Sequence, residues 1–163
     1  MEYDVYVMKI LTTANLIGKI LLTSGAETYR VEETISLVCK RFGLKSESFV
    51  TMTCVLTSAK KSNGEIITEV NRIYTISNNL DKIDRIHKII LNINNYTLET
   101  LQKEINILQT QTIYKNRTIL ISYSLAAAFF APLFGGDFYD AIIAALGGVI
   151  VFYMTKFANI LKV

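Results

Sequence analysis

Tryptophan is absent from this 163-residue chain, which holds one proline, one histidine and two cysteines. The single proline, Pro132, and the scarcity of glycine before residue 130 argue against long linkers. A lone His87 with no cysteine beside it is not a metal centre, and it reads as a helix-surface histidine; no metal and no cofactor are expected. Cys39 and Cys54 form no CxxC and no paired spacing, so they read as reduced thiols packed as small apolar residues. The start, Met1-Glu2-Tyr3-Asp4, is acidic and lacks a small-residue cleavage site, so it does not read as a secretory signal. The 17 Lys and Arg against 14 Asp and Glu are scattered, and no basic run is interleaved with aromatics. That leaves no footprint for a nucleic-acid partner. There is no internal repeat and no low-complexity tract.

What the chain has in excess is apolar residues. Its composition is 51% hydrophobic and its mean hydropathy is +0.34, high for a soluble protein. The excess is uneven. Residues 1–117 carry most of the charge, whereas 118–155 contain no Lys or Arg. A shift that sharp predicts a soluble part joined to a membrane part.

In the soluble part, residues 7–23 follow a helical period through Met8, Leu11, Ile17, Ile20 and Leu21, until Ser24-Gly25 interrupts it. A second helix is expected from about Ala26 to Phe42. Val31, Ile35, Val38 and Phe42 give it one apolar face and Gly43 ends it. Between 47 and 57 the period changes to two. Val50, Met52, Cys54 and Leu56 alternate with Thr51, Thr53, Val55 and Thr57, the pattern of one strand with a threonine-rich face. Lys60-Lys61-Ser62-Asn63-Gly64 is a tight-turn sequence, and 65–76 reads as the returning strand, so a β-hairpin is expected. Asn78-Asn79 open a helix with Ile83, Ile86, Ile90 and Ile93 in register. Thr97 caps another with Leu98, Leu101, Ile105, Leu108 and Thr112. These two heptad-like helices are expected to form an antiparallel pair on the hairpin. The fold class is therefore α+β over 1–116.

Residues 117–158 read differently. Two stretches, about 118–134 and 138–155, each approach the roughly 17–25 residues a spanning helix needs. Gly135-Gly136-Asp137 joins them, which makes the two spans antiparallel. Lys115 and Arg117 precede the pair and Lys156 and Lys162 follow it, while the turn carries only Asp137 and Asp140. By the positive-inside rule the turn is outside, and the whole of 1–116 is cytoplasmic.

Several polar residues have both an architectural and a functional reading. Ser24-x-x-Glu27 matches a capping box, and Arg30 can pair with Glu27 or Glu33. Alternatively, Glu27 and Arg30 line a cleft where the guanidinium offers a fork to a substrate carboxylate. Thr51, Thr53 and Thr57 face one way and Ser58 the other. They form a ladder of good β-formers or border a polar groove. Arg72, half-buried in the returning strand, wants Glu27 or Glu33 as partner. Ser122 and Ser124 bond back to their own helix, and Asp137 caps the second span. Asp140, one step inside that span, is the functional candidate of the membrane part. Ala144-Ala145 and Gly147-Gly148 suit close helix packing.

An ordered set of short motifs resembles the threonine/serine exporter (ThrE-like) family. It comprises Gly25-Ala26-Glu27-Thr28-Tyr29-Arg30-Val31-Glu32, Thr51-Met52-Thr53, Arg72 in a strand, Asn79-Leu80 before a helix, and Leu133-Phe134-Gly135-Gly136 before an acidic helix start. The resemblance covers nearly the whole chain. It implies the N-terminal cytoplasmic domain and first transmembrane hairpin of a multi-pass inner-membrane transporter. It implies export of small amino acids (threonine, serine) or dicarboxylates (succinate), with further spans or a second, smaller membrane subunit completing the pathway. The expected partners are a small carboxylate-bearing solute, the lipid bilayer and further copies in a homo-oligomer. Glu27, Arg30, Thr51, Thr53, Ser58, Arg72 and Asp140 are the candidate substrate-binding residues. No catalytic residue is assigned. The alternative is a membrane-tethered hydrolase-like domain, with Thr51, Thr53 or Ser58 as nucleophile and His87 or Glu27 as base. A further alternative is an interaction module that oligomerises through the heptad-like helices.

Overall fold

The computed structural model describes residues 2–61, 63–111 and 114–161. The expected positions of Ser62, Thr112 and Lys162 lie outside the described residues. The chain divides into two compact units, 1–111 and 112–163.

The first unit is built around helix α1, Glu2–Thr23. Ile10, Leu11, Ala14, Ile17 and Leu21 are all buried, which is why so apolar a helix stays in the core. Met8, expected on that face, is exposed instead. The helix ends in a glycine-terminated motif. Gly25 N–H bonds Leu22 O and Ala26 N–H bonds Leu21 O. Gly25 has φ +91°, and a Cβ there would meet Asn78 Oδ1 at 2.8 Å, so only glycine fits. Helix α2, Thr28–Arg41, ends the same way at Gly43. It buries Val31, Ile35, Val38 and Cys39.

The sheet contains the expected hairpin about Asn63-Gly64 and has one strand more than expected. It has three antiparallel strands in the order β1 (Ser46–Thr51), β2 (Cys54–Lys60), β3 (Ile66–Arg72). The stretch 47–57 is two strands folded at Met52-Thr53, with Thr51 opposite Cys54 and Val50 opposite Val55. A two-residue turn brings Thr51 and Cys54 to the same face, so the inward side passes from even to odd residues; Cys54 and Leu56 continue the apolar alternation of the sequence from the outer face, which hides the turn. Val50, Val55, Thr57 and Ala59 are the buried face. Thr51, Leu56 and Ser58 share the other. The threonines therefore do not face one way: Thr57 is fully buried, and Thr53 sits exposed in the turn. The returning strand also stops earlier than expected, at Arg72. Beyond it the backbone bonds the end of α1, through Ser77 N–H to Thr23 O and Asn79 N–H to Ser24 O.

Helix α3, Leu80–Leu91, starts at Asn79, whose side chain accepts from Lys82 N–H. A 3-10 turn at Ile93–Asn95 leads to α4, Leu98–Thr110. Thr97 and Thr100 cap α4 reciprocally. The sheet packs on α1 and α2, and α3 and α4 pack on α1. This too is a correction: the two later helices rest on the first helix, not on the hairpin. Their apolar stripes, Ile86, Ile89, Leu101 and Ile105, are in the core. They are therefore not available for pairing with another chain.

The second unit is a helical hairpin, α5 (Asn116–Leu133) and α6 (Phe138–Leu161). Gly135 N–H bonds Pro132 O and Gly136 N–H bonds Ala131 O, closing α5. A Cβ on Gly148 would lie 2.5 Å from Tyr123 O, so this glycine lets the α6 backbone touch α5. Tyr123 meets Phe152 edge-on at 6.0 Å. Outward, Ile121, Leu125, Phe129, Ile143, Leu146 and Ile150 are exposed. Two described helices are long and apolar enough to cross a membrane, Tyr3–Thr23 and Phe138–Ala158. Of the first, 61% is buried, which makes it a core helix; of the second, 11% is. α5 is the shorter member of the hairpin. Its 18 residues include Asn116 and Arg117 in the first turn, and the remainder rises about 24 Å, against a hydrocarbon core of about 30 Å.

Candidate functional site

α2 and α3 leave an open groove of about 610 Å³ between them. Glu27, Arg30, Thr34 and Leu37 recur at three, four and three residues, which places them along one wall of α2. Leu80, Ile83, Asp84, His87 and Leu91 form the wall of α3, and Leu21, Ala26 and Ile86 the floor. The alternative reading of the sequence has Glu27 and Arg30 line a cleft, and both line this one. Glu33, Asp84 and His87 join them there. A polar stripe on α3 had no sequence signal of its own, because the helix's isoleucines dominate the pattern.

The capping box expected at Ser24 and Glu27 does not form. Ser24 is buried at the end of α1, and α2 begins after Glu27, which caps it without a side-chain hydrogen bond. The break between the helices is three residues longer than the motif allows. Glu27 instead takes the Tyr29 hydroxyl, and that hydrogen bond, followed by the carboxylate's charge, raises the Tyr29 pKa. Arg30 pairs with neither Glu27 nor Glu33. Among the described residues its guanidinium has no hydrogen bond or ion pair. Asp84 pairs with Lys88 at 2.6 Å. The other glutamate of α2, Glu32, turns the other way and accepts Val50 N–H at 2.8 Å, tying α2 to β1.

The remaining candidates lie elsewhere. Thr51, Ser58 and Arg72 lie on the outer face of the sheet, and Thr53 is in the turn between β1 and β2. Thr51 Oγ1 and Thr53 Oγ1 are 3.5 Å apart, and Ser58 Oγ is 2.8 Å from Thr68 Oγ1. Arg72 is exposed, not half-buried, and Glu27 and Glu33 are not its partners, because both line the groove instead. His87 and Glu27 therefore sit on a different surface from these hydroxyls. In the second unit, Asp137 Oδ1 accepts the N–H groups of Tyr139 and Asp140, and Asp137 N–H donates to Asp140 Oδ2. The two carboxylates cap α6 reciprocally. Ser122 Oγ bonds Thr118 O within its own helix.

An exposed groove with an apolar floor, one free guanidinium and several carboxylates suits a small zwitterion. A free α-amino acid carries both charges at neutral pH. The model of the family ThrE, described as "Putative threonine/serine exporter", matches residues 12–163. The chain belongs to the ThrE family. ThrE is a transporter family of the membrane, and the apolar exterior of α6 accords with that. No curated protein and no solved structure matched the chain.

Proposed function

We propose that this chain is the N-terminal part of an exporter of small amino acids of the threonine and serine class. The ThrE match over residues 12–163 carries the reading. In this reading α5 and α6 are the first two spans of a multi-pass protein in the inner membrane. Lys115, Arg117 and Lys156 hold the ends of the hairpin and residues 1–116 on the cytoplasmic side. Two spans line no pathway by themselves, so further spans or a small second subunit supply the rest.

The groove of Glu27 and Arg30 receives the solute at the cytoplasmic mouth. The Arg30 fork takes the carboxylate, while Glu27 and Glu33 take the ammonium. The soluble domain then gates entry to an alternating-access pathway, and Asp140 marks its outer end. The test is export of labelled threonine, serine and succinate from cells expressing the protein with its membrane partner, against a deletion strain. Threonine or serine export that falls in Arg30→Ala supports the reading. Succinate export alone would move the substrate to dicarboxylates. Export unchanged by deleting residues 1–110 would remove the gating role.

A further inference from the structure

The outer face of the sheet has an order set by its register. Phe49 lies opposite Leu56 and Leu56 opposite Val70, so three apolar side chains form one row across all three strands. On one side of that row run Thr51, Cys54 and Arg72, and on the other Glu47, Ser58 and Thr68. Phe49 is 65% exposed and Val70 58%, although the opposite face of the same strands is core. An apolar band on an open sheet face marks a contact surface. Glu47 and Arg72 occupy diagonally opposite corners, about 17 Å apart for strands ~4.8 Å apart with a rise of ~3.4 Å per residue. Both are exposed, and neither is in an ion pair among the described residues.

We propose that this face is the contact between two copies of the chain, packed sheet on sheet about a twofold axis. The charges select this occupant. An axis lying between the sheets, perpendicular to the Glu47–Arg72 diagonal, places Glu47 of each copy over Arg72 of the other. It also crosses the two apolar rows at their shared centre, Leu56. One patch thus supplies both halves of an isologous interface, as twofold symmetry requires. The crossing of the strands that results is steep, as in orthogonal sheet packing. The apolar stripes of α3 and α4 are in the core and offer no face to a second copy, whereas the apolar row of the sheet is open. The face is smaller than the roughly 1,200–2,000 Å² that a stable soluble complex buries. Two copies held in one membrane associate at a raised local concentration, which compensates for a small face.

The experiment is energy transfer between donor- and acceptor-labelled full-length chains reconstituted together in lipid vesicles. Wild type should transfer well above an unrelated membrane protein at the same density. Glu47→Arg or Arg72→Glu should weaken association about tenfold, because like charges then face each other. The double reversal, Glu47→Arg with Arg72→Glu, should recover it. Val70→Asp should abolish it at unchanged helix content and melting temperature. Transfer no greater than the unrelated protein's would overturn the proposal. So would single reversals without effect, or a double reversal that fails to recover, each of which puts the contact elsewhere.

Discussion

At the residue scale, the groove depends on one unpaired guanidinium. Arg30→Ala should raise the KM for export several-fold while leaving the fold intact, since the side chain is exposed. Arg30→Lys should restore only part, because an ammonium is a point charge and not a planar fork. Thr57 makes the opposite case. Its hydroxyl is fully buried and has no hydrogen-bond partner among the described residues. Thr57→Val keeps the shape and removes an unpaired polar group, so it should stabilise by about 1 kcal/mol in denaturant melts. Cys39 gives a pH test. Burial, outweighing its hydrogen bond with Ser46, raises its thiol pKa. An acid whose pKa is higher folded than unfolded adds stability below the unfolded pKa. That stability is lost as pH rises through the folded value. Melting temperature should therefore fall above about pH 9, and Cys39→Ala should flatten that fall. The sequence marked Cys39 as a packed thiol and Glu27 and Arg30 as neighbours. It could not tell that the Arg30 guanidinium has no hydrogen bond or ion pair among the described residues, because whether a charge is satisfied depends on groups far away in the chain.

At the scale of elements, boundaries set by local chemistry were legible. Asn79 and Thr97 cap α3 and α4 where their side chains predict, and Gly25 and Gly43 stop α1 and α2. Gly25→Ala should cost at least about 1 kcal/mol, from the strain of positive φ and the contact with Asn78. The strand pattern misled at Met52-Thr53. A two-residue hairpin reverses which parity faces inward, but Cys54 and Leu56 are apolar although they lie on the outer face, so the apolar alternation of the sequence continues through the turn and reads as one long strand. In the second unit, Gly148 is the element-scale requirement. Gly148→Leu should separate α6 from α5, because the added side chain would overlap the Tyr123 carbonyl. A cysteine pair across the helices, cross-linkable in wild type, should lose its cross-link in that variant.

At the scale of the whole molecule, the orientation proposed above has a direct test. In intact cells, Asp137→Cys should react with a membrane-impermeant maleimide. Lys156→Cys should react only after permeabilisation. The reverse pattern would place residues 1–116 outside. Family membership, the α+β class and the helical, apolar character of residues beyond 117 all followed from the sequence. Each rests on local composition, on capping chemistry or on the order of short motifs, and such signals survive without knowledge of the fold. The tertiary structure decided what the sequence left open. It put apolar α1 inside the core and left α6 bare, although both are long and apolar enough to span. It gathered Glu27, Arg30 and His87 into one groove and sent Thr51, Thr53, Ser58 and Arg72 to another surface. Burial and proximity are properties of residues distant in the chain, and only the packing of sheet and helices on α1 brings those residues together.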